Sequence, residues 1–288
     1  MPNAPEHFPE SNMRIQIVAL LSLAATVLLA DISLAQGGGR GRNRAEEIQN
    51  RIGTYFTDTN APTTDGDKVA DLATCDLVRA AGAANQATVL YLYNSADDKD
   101  VREGFERTLF AADEMGIQLR CFHCGSIDLA KDEALKTKYA KQAPLFVVFD
   151  KDGKPGEVSM TGYKAAGNAL EKQLERAAQG VIKPSLAAFA KEYGGFVRDL
   201  EQLLNKKKLA TEKMTKAGAD KGKHADAEKD LKAIGAEEQK LLAKEKELLE
   251  KAKLPERPAD ARRLGDRSQG GGGGQGGGQG GGGGRNGG

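Results

Sequence analysis

Two short apolar runs constrain the fold more than anything else in the chain. They are Ala87-Thr-Val-Leu-Tyr-Leu-Tyr93 and Leu145-Phe-Val-Val-Phe149, each bounded by polar residues. Neither alternates polar with apolar, so each reads as a strand covered on both faces. Such a strand needs helices above and below it. Lys68–Gln86, Val101–Met115, Leu129–Lys141 and Ala165–Ala178 supply them, with apolar residues at helical spacing. Gly116 reads as the stop of the second helix. Ile117–Cys124 reads as a further strand, and Gly156–Met160 as a strand returning from the Lys151–Lys154 turn. The resulting order, α-β-α-β-α-β-β-α, predicts an α/β domain over residues 68–180: a largely parallel sheet, helices on both faces and an antiparallel hairpin at one edge. Upstream, Ala45–Phe56 reads as a short helix and Thr57–Asp67 as a turn-rich connection.

Beyond Pro184 the pattern changes. Leu186, Phe189, Tyr193, Phe196, Leu200 and Leu203 recur at spacings 3-4-3-4-3, a heptad seam. After a polar break at Gly218–Asp226, Ala227–Lys253 repeats helical spacing through Leu231, Ile234, Leu241, Leu242, Leu248 and Leu249. Residues 183–256 therefore predict an α-helical hairpin or coiled-coil arm, with self-association through 186–253 as the alternative use of the stripe. Residues 257–288 form a Gly-rich tail with little to bury, which reads as disordered.

Residues 15–35, IQIVALLSLAATVLLADISLA, match a signal-peptide core ending in Ser33-Leu34-Ala35. Residues 1–35 are thus expected to be removed, with translation starting at Met13, where Arg14 provides the positive head. The product would be exported, periplasmic or extracellular, without a membrane anchor. Residues 36–44, QGGGRGRNR, then read as a flexible spacer, so that 36–67 is linker plus short helix. Residues 1–35 hold one base (Arg14) and three acids (Glu6, Glu10, Asp31), leaving 41 basic and 38 acidic residues. That balance gives no argument for a nucleic-acid partner.

Export permits disulfides, and the chain has three cysteines: Cys75, Cys121 and Cys124. Arg120-Cys-Phe-His-Cys-Gly-Ser-Ile-Asp128 places two of them in C-x-x-C spacing around His123. On a strand, positions i and i+3 face opposite sides, with Cα atoms about 10 Å apart. A disulfide needs less than roughly 7 Å, so this dithiol is poorly placed for redox work. A zinc site would combine Cys121, His123 and Cys124 with Cys75, again from two faces. The readings are buried core thiols, a disulfide from Cys75 to Cys121 or Cys124, a redox dithiol, or a metal site. The first is preferred; no metal and no cofactor are expected. His123 reads as a packed histidine.

The element order, with Pro144 opening a strand inside Lys138-Tyr-Ala-Lys-Gln-Ala-Pro-Leu-Phe-Val-Val-Phe-Asp-Lys-Asp-Gly-Lys154, resembles the thioredoxin-like fold. The resemblance spans residues 68–178. It implies a cis Ala143–Pro144 bond beside the family's active-site loop, where the backbone before the proline pairs with bound peptide. The family's C-x-x-C opens the helix after the first central strand. Here that stretch is Asp98-Lys-Asp-Val101, which has no thiol, so no catalytic residue carries over.

The expectation is an exported, redox-inactive thioredoxin-like module that holds a protein or peptide partner through Asp98, Lys99, Asp100, Ala143 and Pro144. The competing enzyme reading is a thiol–disulfide oxidoreductase using Cys121 and Cys124. The third reading is a structural envelope protein working through its helical arm and Gly-rich tail.

Overall fold

The computed structural model describes residues 44–62, 71–110 and 112–265. The expected signal segment, the spacer up to Asn43 and the tail from Asp266 onward lie outside the described residues, as do residues 63–70, the end of the turn-rich Thr57–Asp67 connection and the start of the expected Lys68–Gln86 helix. Eight α-helices and six strands follow in the order α1 (Glu46–Ile52), β1 (Thr54–Asp58), α2 (Asp76–Ala83), β2 (Thr88–Tyr93), α3 (Lys99–Phe110), α4 (Asp113–Leu119), β3 (His123–Asp128), α5 (Glu133–Tyr139), β4 (Leu145–Phe149), β5 (Pro155–Ser159), α6 (Gly167–Ala177), α7 (Leu186–Ala217), α8 (Lys221–Ala252) and β6 (Arg262–Leu264).

One mixed sheet runs in the order β5-β4-β2-β3-β1-β6. β2 and β1 both flank β3 in parallel, while β2–β4, β4–β5 and β1–β6 are antiparallel, so the sheet is mixed rather than largely parallel as expected: the apolar run of β4 returns beside β2 in the opposite direction. The two apolar runs are its central strands. All five residues of β4 and five of the six in β2 are buried. Their side chains alternate between two cores, as period 2 requires. Val89, Tyr91, Phe146 and Val148 join α1, α3, α4, α6 and α7 on one face. Leu90, Leu92, Leu145, Val147 and Phe149 join Val78 of α2 and Leu135 of α5 on the other. Asp132 caps α5 by accepting from the Leu135 N–H at 2.8 Å.

Four further expectations need correction. Val101–Met115 and Ile117–Cys124 are not one helix followed by one strand. The first helix ends at Phe110, and a second, α4, runs through Gly116 and Ile117 to Leu119. Met115 to Leu119 are all buried, and a helix buried on every side carries no period to separate it from a buried strand. Gly116 serves contact rather than termination: a Cβ there would lie 1.7 Å from the Ile52 carbonyl oxygen. Second, helix α1 stops at Ile52, and Thr54–Asp58 forms strand β1, with Phe56 fully buried. Third, the tail reading fails at its start, because Arg262–Leu264 pairs antiparallel with Thr54–Phe56. Fourth, the break between the long helices is only Gly218–Asp220. Asp220 Oδ1 accepts from the Gly222 and Lys223 N–H groups and starts α8 there.

The long helices form an antiparallel hairpin, and all six seam residues are buried within the chain. The seam's first half belongs to the larger core, where Phe189, Tyr193 and Phe196 pack ring against ring. The outer half buries only small side chains, Ala210, Ala217 and Ala227. It is laced by ion pairs such as Lys207–Glu238 at 2.9 Å. Among the described residues, no helix is long and apolar enough to cross a membrane.

Candidate functional site

The sequence-expected binding residues gather at one end of the sheet. β2 ends at Tyr93, and residues 94–98 lead into α3. Asp98 Oδ1 accepts from the N–H groups of Asp100 (2.9 Å) and Val101 (3.0 Å), an N-terminal cap. Asp98, Lys99 and Asp100 are all exposed. Leu92 pairs with Leu145, so buried Pro144 stands level with Tyr93 at the same end. The Ala143–Pro144 bond is cis. The Ala143 N–H already donates to the Tyr139 carbonyl at 3.1 Å, which leaves the Ala143 carbonyl as the backbone group of interest. The Pro144 carbonyl accepts from Met160 N–H at 2.7 Å.

This end is tied down by acids. Asp97 accepts from the Tyr163 hydroxyl and from Asn94 Nδ2 (2.9 Å). Asp128 accepts from the Ser95 and Ala130 N–H groups at 3.0 and 3.1 Å. Burial pushes the Asp128 carboxyl up, but these N–H donors outweigh it and hold the group below the usual range. Arg102 lies 5.5 Å from the Tyr93 ring centroid. The Asp98–Val101 stretch itself carries no thiol, and the nearest cysteine in the fold, Cys75, is buried just before α2, its Sγ 3.8 Å from the Asn60 carbonyl oxygen.

Cys121 and Cys124 lie elsewhere. Cys121 is not on a strand. It sits in the turn that closes α4, its N–H donating to the Gln118 carbonyl. Cys124 is the second residue of β3, opposite Val89 of β2. The turn undoes the opposite-face argument: Cys121 belongs to the core on the Val89 face, and Cys124 packs against that same core. Cys75 belongs to the core on the other face. All three are free thiols. Burial pushes Cys121 up to about 12, and it raises Cys75 and Cys124 as well. The Cys124 thiol donates to the Leu119 carbonyl at 3.3 Å. Thiol chemistry needs a thiolate, and these surroundings oppose it. His123 Nε2 hydrogen-bonds Gln86 Oε1, and burial lowers its pKa. Among the described residues, no group of three or more His, Cys, Asp or Glu side chains could hold a metal ion.

Cys124 does line an open cavity of about 520 Å³ where β1 and β3 begin, flanked by residues 254–258 and Ala261 after α8. Its wall contains a buried charge cluster that the sequence reading missed. Glu245 of α8 is 9% exposed. It accepts from Arg51 Nε (2.9 Å), Arg51 Nη2 (2.8 Å) and the Tyr193 hydroxyl (2.7 Å). Arg120 donates to the same hydroxyl. One chain of contacts thus joins α1, α8, α7 and the turn before β3. The available signal was Glu245 itself, an acid on the apolar stripe between Leu241 and Leu248-Leu249.

No family model matches the chain, and no curated protein and no solved structure matches it.

Proposed function

We propose that this chain is an exported, redox-inactive thioredoxin-like module that holds a protein segment at the cis-proline end of its sheet. The strand order β5-β4-β2-β3-β1 supports the fold reading, as do the antiparallel β4 and β5 and the division of α2 and α5 from α3, α4 and α6 between the two faces. The added β6 and the α7–α8 hairpin are elaborations on that core. The observation that carries the functional reading is the junction of β2 with α3. Where the family places a nucleophilic thiol, Asp98 spends its carboxylate on the first N–H groups of α3.

A module of this kind holds its partner without exchanging disulfides. Exposed Asp98, Lys99 and Asp100 offer polar contacts, and the Ala143 carbonyl offers a backbone acceptor. The partner side would be an extended segment carrying N–H donors and basic side chains.

The test has two arms. In an insulin-reduction assay, wild type, Cys121→Ser and Cys124→Ser should all lack turnover above buffer. Turnover that vanishes with either substitution would establish the oxidoreductase instead. In the exporting cell, a photo-cross-linker at Lys99 should give discrete adducts that Asp98→Lys abolishes. Adducts formed only from a cross-linker at Lys232, on the helical arm, would shift the function to that arm.

A further inference from the structure

We propose that the cavity where β1 and β3 begin binds a small organic anion, a carboxylate or phosphate monoester with an apolar body. The proposal is independent of the thioredoxin-like reading and concerns a different part of the molecule. At about 520 Å³ the cavity falls within the size range of small-molecule sites.

Its wall is electrostatically unfinished. Arg120 and Arg257 both line it, and among the described residues neither forms an ion pair with a carboxylate. Each is held instead by an aromatic ring and one neutral acceptor. The Arg257 guanidinium lies 3.6 Å from the Tyr55 ring centroid, and its Nη2 donates to the Asn50 carbonyl at 3.1 Å. The Arg120 guanidinium lies 5.1 Å from the Tyr193 ring centroid and donates to the Tyr193 hydroxyl. A guanidinium has five N–H donors, so most of each fork is left uncommitted.

The carboxylates of the wall do not settle this charge. Glu245 is taken by Arg51 and Tyr193. Glu256 is exposed and pairs with neither arginine. Cys124 contributes a thiol that burial keeps protonated, so it adds no opposing charge. An oxyanion placed between the two guanidiniums would accept charge-assisted hydrogen bonds from both. Beside them, Leu119, Phe122, Leu249 and Leu254 give the cavity an apolar side for the rest of the ligand.

The experiment is titration calorimetry on the full chain at low ionic strength. The probes are inorganic phosphate, phenyl phosphate, benzoate and, as a neutral counterpart, benzyl alcohol. The proteins are wild type, Arg257→Gln, Arg120→Gln and Lys213→Gln, the last on the outer part of the hairpin. Circular dichroism confirms folding. Arg257 is exposed at the cavity rim, so its variant keeps the test valid if Arg120→Gln does not fold. Saturable binding of phenyl phosphate or benzoate is expected, with benzyl alcohol silent. That binding should weaken at least tenfold in Arg257→Gln and stay unchanged in Lys213→Gln. Absence of saturable binding by both organic anions overturns the proposal, as does equal affinity in wild type and Arg257→Gln. Inorganic phosphate binding as tightly as phenyl phosphate overturns the apolar half of the assignment.

Discussion

Replacing Glu245 by Ala should expose how much of the fold hangs on one carboxylate. The side chain is 11% exposed and its main partner Arg51 is 17% exposed, so solvent screens the pair weakly. Its three short hydrogen bonds come from Arg51 Nε and Nη2 and from Tyr193. Breaking a buried pair by removing one partner costs about 3–5 kcal/mol, mostly because the other charge is stranded. Arg51 keeps a second contact, Glu47 Oε1 at 3.1 Å, but that carboxylate is 42% exposed. A surface pair of that kind contributes under about 1 kcal/mol. The loss should therefore fall near the lower end, about 3 kcal/mol. With a urea slope of roughly 3 kcal/mol/M, the unfolding midpoint followed by circular dichroism drops by about 1 M. The double variant Arg51→Met, Glu245→Leu removes both charges and fills the space, and it should recover most of that loss. A midpoint shift below about 0.3 M for Glu245→Ala would refute the reasoning. So would a double variant no more stable than the single.

Gly116→Ala should cost at least 1–3 kcal/mol and lower the melting temperature by about 5–10 °C, because the new Cβ meets the Ile52 backbone rather than a side chain that can move. His123→Gln should flatten the acid side of the stability profile. Burial lowers the folded pKa of His123, so below its ordinary value of 6.5 the unfolded chain binds the extra proton and wild-type stability falls with pH; an unchanged slope between pH 7.5 and 5.5 in His123→Gln would contradict this. Under denaturing, non-reducing conditions a thiol reagent should count three free thiols, while the folded protein at pH 8 should react far more slowly than free cysteine, since burial raises all three thiol pKa values.

The central strands were legible because a run such as Leu145–Phe149 has no polar face to offer water. The helical seam was legible because its 3-4 spacing is long enough to leave no other period. Failures came where one period covers two structures. Met115–Leu119 is buried all round, so its helix looks like a strand, and that error put Cys121 and Cys124 on opposite faces. β1 was hidden because Thr54-Tyr-Phe-Thr-Asp58 continues the charged helix before it with only Gly53 between. β6 was hidden in a segment whose composition suggests a tail. Asp98 and Pro144 fall at one end of the sheet because they adjoin β2 and β4, the two strands whose apolar runs are plainest in the sequence. The cavity with Arg120 and Arg257 was out of reach, because it needs residues 50–57, 119–124 and 245–261 brought together by exactly the elements misread.

The pairing of β1 with β6 has a temporal meaning. Thr54 meets Leu264, and Arg263 reaches back 214 positions to Gln49. During synthesis the outer edge of β1 waits, with its backbone donors and acceptors open, until nearly all of the described chain has been made. Contacts this distant in sequence form late and slowly, and an open strand edge is a template for the wrong neighbour. The last three-residue strand is therefore a latch, and a chain that stops before Arg262 should be caught by aggregation or by a chaperone while one that stops after Gly265 is not.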